Sequence, residues 1–162
     1  MENQASPPRP AEQIDLIKLC QALNVNAALY IVIGGMAVNR LGFLRATEDI
    51  DLLIEKTRGN QERVRAALEI LPDKAVREMN SSDLDRFLVV RVADEIVVDL
   101  MLSAGGLTYD DAKDGIEFHT IQGIPIPFAS AKLLLRTKQT YREKDLMDRR
   151  FLENKIKEDS LG

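Results

Sequence analysis

The six residues Asp49-Ile50-Asp51-Leu52-Leu53-Ile54 alternate with the period of an extended strand. Ile50, Leu52 and Ile54 fall on one face, and Asp49, Asp51 and Leu53 on the other. The same period recurs in Ile96-Val97-Val98-Asp99-Leu100-Met101-Leu102, where Ile96, Val98, Leu100 and Leu102 share a face and Asp99 opposes them. Both strands aim an apolar set one way and their aspartates the other, which predicts a sheet covered by helices on one side and open on the other.

Around these strands the periodicity changes to that of helices. Leu16, Leu19, Cys20 and Leu23 form a helical stripe from Ala11 that buries Cys20. Residues 28–33 predict a buried strand closed by Gly34-Gly35, followed by a helix from Met36 to about Leu44 and a strand over 47–55. Val64, Ala67, Leu68 and Leu71 predict a helix over 59–71 that Pro72 stops. Residues 87–92 and 95–102, separated by Ala93-Asp94, read as an antiparallel hairpin. A short helix over 109–113 precedes a second hairpin, 117–121 and 124–128, around Gln122-Gly123. Pro125 and Pro127 place its last strand at a sheet edge. Ser130 N-caps a helix through Leu133, Leu134 and Leu135, and a last helix runs from about Arg142 to Lys157. The expected fold class is α/β (α+β): a small mixed sheet with helices on one face. Residues 1–10, with three prolines, form a flexible arm, 11–128 the core, and 129–162 a helical segment of the same domain.

Composition narrows the chemistry. The 162 residues suit one domain with its own core. No apolar run reaches the length of a membrane span and the polar, proline-rich start is unlike a secretory signal, so no membrane association is expected. The lone Cys20 forms no intrachain disulfide and points to a reducing compartment, with the cytoplasm as default. One histidine and no tryptophan leave acid, base and metal chemistry to carboxylates. Charge is uneven: residues 132–157 hold nine Lys/Arg against four Asp/Glu, net +5, while the remainder carries −9. A basic segment beside an acidic body suits the holding of phosphates near carboxylates, and equally describes a solvated helix.

If the two acidic strands are neighbours, three carboxylates converge. Such a cluster repels itself unless a cation sits in it, and an all-oxygen donor set selects Mg²⁺ or Mn²⁺ over zinc. An isolated Asp-x-Asp on a strand is more often a solvated face; the order of the other parts raises its significance. Gly34-Gly35 sits where a strand passes into a helix, a place where bare backbone N–H groups receive phosphate, although a tight turn with positive φ explains one of the two glycines as well.

Ile33-Gly34-Gly35, then Asp49-Ile50-Asp51-Leu52, then Val98-Asp99-Leu100 resembles the three-part signature of the DNA polymerase β-like nucleotidyltransferase superfamily. The stretch Gly35 to Leu53 is most similar to small bacterial nucleotidyltransferase-like proteins, including a toxin-type group related to abortive-infection systems. Features are shared with aminoglycoside nucleotidyltransferases and tRNA CCA-adding enzymes. The resemblance covers roughly residues 28 to 103. It implies that Gly34 and Gly35 shape the loop that holds the nucleotide's phosphates. Asp49 and Asp51 would bind two Mg²⁺ (or Mn²⁺), and Asp99 would bind one ion and act as base or orient the acceptor hydroxyl. The implied reaction moves a nucleoside monophosphate from an NTP to a hydroxyl of a small molecule, an RNA or a protein. Asn39 and Arg40 stand where CCA-adding enzymes usually carry an Arg-Asp pair, which argues against CCA addition.

Arg45 and Thr47 precede the acidic strand and either contact phosphate or serve as a surface arginine and a strand-favouring threonine. Lys138, Arg142 and Lys144 either reach the triphosphate or, for Lys144, pair with Asp148 one helical turn on. Met147, Phe151, Leu152 and Ile156 form a stripe read as core or partner-facing, and its partial cover suggests a homodimer or a partner protein. A catalytically silent regulatory or antitoxin-like relative is the alternative function. A dinucleotide-binding oxidoreductase is disfavoured because the third glycine of its fingerprint is missing.

Overall fold

The computed structural model describes residues 6–44, 46–137 and 143–161, with backbone alone for 143–145. Arg45, Lys138 and Arg142 therefore lie outside the described residues, as does the side chain of Lys144.

A six-stranded mixed sheet is assembled from β1 (Tyr30–Ile33), β2 (Asp49–Ile54), β3 (Val90–Ala93), β4 (Val97–Met101), β7 (Ile116–Ile121) and β8 (Ile124–Ala129) in the order β3-β4-β2-β1-β8-β7. Strand β2 runs antiparallel to β1 and parallel to β4, and the β3–β4 and β7–β8 pairs are antiparallel hairpins. A separate ribbon joins β5 (Ser103–Ala104) to β6 (Leu107–Thr108) around Gly105-Gly106.

The helices follow from the stripes. α1 (Gln13–Val25) buries Leu16, Leu19, Cys20 and Leu23. It lies on the sheet face opposite the aspartates, where the hydroxyl of Tyr30 donates to Asn24 Oδ1 at 2.8 Å. α2 (Gly34–Arg40) ends four residues before the expected Leu44, because Gly42 takes φ +111°, open to glycine alone at no cost. α3 (Arg58–Leu68) is N-capped by Thr57 and packs on α1. Its end at Leu68 precedes Pro72, since Ile70 and Leu71 already donate to carbonyls three residues back. α4 (Asp83–Arg86) and a 3₁₀ turn at Ala75–Glu78, neither foreseen, carry the chain to β3. α5 (Tyr109–Ala112) is the expected short helix. α6 (Ala131–Thr137) is capped by Ser130, whose Oγ accepts from the Leu133 amide at 3.2 Å. α7 (Glu143–Leu161) packs along α6. Its Leu152 is fully buried and Phe151 stacks on Phe43 at 5.1 Å, while Leu146 and Met147 are exposed. Most of the stripe on this helix is thus covered within the chain.

Two expectations need correction. β8 is an interior strand despite its prolines. The proline-bearing stretch is met by β1 through the single register pair Val32↔Phe128, and the Pro125 carbonyl is taken by the Asn24 side chain, so no ladder donor is demanded there. The acid-bearing face is also less open than predicted. Leu53 and Met101 are buried further along it, where β5 meets β2, and the opening narrows to the end that carries Asp49 and Asp51. Residues 6–10 form no regular element, yet Arg9 bonds Asp15 and Glu95 and its amide donates to the Glu95 carbonyl.

Candidate active site

Parallel pairing of β2 with β4 sets Asp51 opposite Asp99 in register, and Asp49 follows on the same face two residues earlier. One carboxylate oxygen from each of the three lies within 4.8 Å of the others. Asp99 is only 5% exposed; Asp49 and Asp51 are half-buried. Three carboxylates so close repel, and burial of Asp99 sharpens the repulsion.

Strand β1 brings the glycine turn to the same point. Ile33 pairs with Asp51, and Gly34 follows at φ +69°. A Cβ on Gly34 would stand 2.1 Å from Asp51 Oδ2 and 2.9 Å from its Cγ. Gly34 is therefore glycine for two reasons, a left-handed backbone and a carboxylate in the space of a side chain. Gly35 is buried within α2 and has no positive φ.

A fourth residue, Arg91, completes the cluster from β3. Its Nε donates to Asp99 Oδ1 at 3.0 Å, and its Nη2 reaches Asp99 Oδ2 and Asp49 Oδ2, each at 3.1 Å. These bonds, led by those to Asp99, push the guanidinium pKa above its ordinary value. Sequence reading missed Arg91 because it made Ala93-Asp94 the hairpin turn, which sets Arg91 opposite Ile96. The observed register is Arg91↔Asp99, with residues 94–96 as the loop and the Asp94 amide donating to the Ile96 carbonyl. A shift of three residues, an odd number, carries Arg91 to the acidic face.

The donor set, three carboxylates and no softer ligand, fits Mg²⁺ or Mn²⁺. No family model matches the chain, and no curated protein matches its sequence. Solved structures do match. A lincosamide antibiotic adenylyltransferase, LnuA, with lincomycin bound, superposes with a TM-score of 0.61 at 16% identity over 89% of this chain and 98% of that one. ANT(2")-Ia in complex with adenylyl-2"-tobramycin gives 0.57 at 20% identity over 93% and 90%. An antigenic nucleotidyltransferase-like protein from Paracoccidioides brasiliensis gives 0.53 at 19% identity over 93% and 78%. The chain has the nucleotidyltransferase fold.

Within this nucleotidyltransferase fold the remaining candidates separate. The hydroxyl of Thr47 donates to Met36 Sδ at 3.8 Å. Thr47 also lines a cavity of about 600 Å³ whose apolar walls include Leu16, Met36, Ile121 and Phe128, with Arg40 over the Phe128 ring at 5.1 Å. The basic candidates flank described anchors. Thr137, before Lys138, lies against Gly105, where a Cβ would meet the Arg136 carbonyl at 2.6 Å. On α7, Phe151 stacks on Phe43, six residues before Asp49. Among the described residues no helix is long and apolar enough to cross a membrane.

Proposed function

We propose that the protein transfers a nucleoside monophosphate from an NTP to a hydroxyl of a small-molecule acceptor, with release of pyrophosphate. The observation that carries this reading is the meeting of Asp49, Asp51 and Asp99 beside Gly34 in a nucleotidyltransferase fold. A lincosamide antibiotic adenylyltransferase with lincomycin bound and ANT(2")-Ia in complex with adenylyl-2"-tobramycin stand among its structural neighbours, which supports a small hydroxylated acceptor over RNA or protein.

Asp49, Asp51 and Asp99 would hold the divalent cation. When bound, Mg²⁺ or Mn²⁺ supplies charge neutralisation and electrophilic activation of the phosphates. The chain's own residues do the rest. Gly34 presents bare backbone beside Asp51, and Gly34 and Gly35 would shape the turn that receives the phosphates. Asp99, buried on β4, takes the proton of the acceptor hydroxyl. The acceptor oxygen forms a bond to the α-phosphorus as the bond from that phosphorus to the bridging oxygen breaks, and pyrophosphate leaves with the electron pair. Lys138, Arg142 and Lys144 contact the triphosphate, and Arg45 and Thr47 flank it.

The test is an acceptor screen with each NTP labelled at the α-phosphate, comparing hydroxylated antibiotics and other polyols with total RNA and protein. Label moving to a small molecule in a metal-dependent manner is expected. Label found solely on RNA or protein overturns the acceptor class.

A further inference from the structure

We propose that Arg91 is a built-in counter-ion of the carboxylate triad, and that its guanidinium and a divalent cation exclude each other, so that cation binding expels Arg91 from Asp49 and Asp99. The inference rests on the metal-dependent reading above and extends it to a residue outside the ligand set.

Three features argue for displacement. First, the guanidinium consumes the donors a cation needs. Both oxygens of Asp99 and one of Asp49 accept from Arg91 at 3.0–3.1 Å. A divalent ion bound to the same oxygens would stand within a few ångströms of a second positive charge. Second, without a cation the cluster needs one: its carboxylate oxygens lie within 4.8 Å of one another, and Asp99 is buried. The fork of Arg91 bridges two of the three acids, where a point charge would engage one at a time. Third, Arg91 can leave. It stands on β3, an edge strand, and its side chain is 59% exposed, so rotation into solvent uncovers little apolar surface. The bridged Asp99 is 7% exposed by the same measure and stays in place on β4. Arg91 therefore holds Asp49 and Asp99 together before the cation arrives and gives way when it does.

The experiment titrates Mn²⁺ into the full chain without nucleotide, reading free Mn²⁺ by electron paramagnetic resonance, for wild type, Arg91→Gln and Arg91→Lys. In parallel, diamagnetic Mg²⁺ is added while the arginine Nε–Hε resonances are followed by NMR, with the Arg91 signal assigned through its loss in the variant. Arg91→Gln should bind Mn²⁺ about three- to ten-fold more tightly than wild type. Arg91→Lys, which keeps the charge without the fork, should fall between them and serves alone if the glutamine variant does not fold. The Arg91 Nε–Hε signal should move to the position of a solvated arginine as Mg²⁺ saturates. Unchanged or weaker Mn²⁺ binding in the variants, or an Arg91 signal that stays put at saturation, overturns the exclusion while leaving the metal reading intact. Absence of Mn²⁺ binding in all three proteins overturns both.

Discussion

Gly34 and Asp51 share a space that holds a carboxylate oxygen or a β-carbon but not both: a Cβ on Gly34 would lie 2.1 Å from Asp51 Oδ2. Gly34→Ala must therefore move Asp51 and also hold an alanine at φ +69°. Nucleotide transfer should fall at least about 100-fold, because small misplacements of a reacting constellation carry penalties of that order. Stability should drop by about 1–3 kcal/mol. Urea unfolding and the transfer rate, measured on the same preparation, check both numbers; wild-type activity in the alanine variant would mean that Asp51 tolerates displacement.

Asp94 supports the loop that sets the register of Arg91. Its carboxylate, nearly fully buried, accepts from the amides of Asp73, Ala75 and Glu95 at 2.7–3.0 Å. Asp94→Ala removes the acceptor of three part-buried amides and should cost about 1–3 kcal/mol in denaturant unfolding. A loss under 1 kcal/mol would show that water satisfies these amides.

Alkaline pH should weaken the fold through Cys20. Burial pushes its thiol up to about 12, outweighing its contact with Tyr30, and the Tyr30 hydroxyl is raised as well, chiefly by burial. In the unfolded chain the thiol ionises near 8.5–9. The stabilisation is complete below that value and is lost as pH climbs towards 12, because the unfolded state ionises first. By pH 10.5 the thiol alone should remove about 2 kcal/mol. Cys20→Ala should flatten that slope between pH 8.5 and 10.5; an unchanged slope would assign the loss elsewhere.

Charge removal at Lys138, Arg142 or Lys144 should weaken NTP binding several-fold at 50 mM salt and less at 500 mM, since exposed charges are screened. Equal binding at both ionic strengths would return this segment to a solvated face.

Much of this architecture is written in local patterns. The two acidic strands, the strand-to-helix glycine turn and the helix over Cys20 each follow from a period of two or of 3.6 that tertiary packing reinforces. What escaped depended on backbone geometry that residue type does not announce. Gly42 ended α2 through a positive φ, and a turn one residue longer than Ala93-Asp94 moved Arg91 from one sheet face to the other. The prolines of β8 misled for a related reason, since one sparse register pair and an Asn24 amide remove the demand that normally drives proline to an edge. Asp49, Asp51 and Asp99 were legible because strand parity alone fixes their face; their cationic neighbour was not, because its face hinges on register.

The account stands or falls on which phosphorus is attacked. The full chain is incubated with Mg²⁺ or Mn²⁺, a pool of hydroxylated small molecules, and NTP labelled at either the α- or the γ-phosphate, beside Asp51→Asn. The account predicts that α-label moves to the acceptor while γ-label appears in pyrophosphate in equal amount, and that both products fall about 1,000-fold or more in the variant, whose fold is unchanged. Release of γ-label as inorganic phosphate with α-label left on the nucleoside diphosphate, or undiminished turnover in Asp51→Asn, would contradict it.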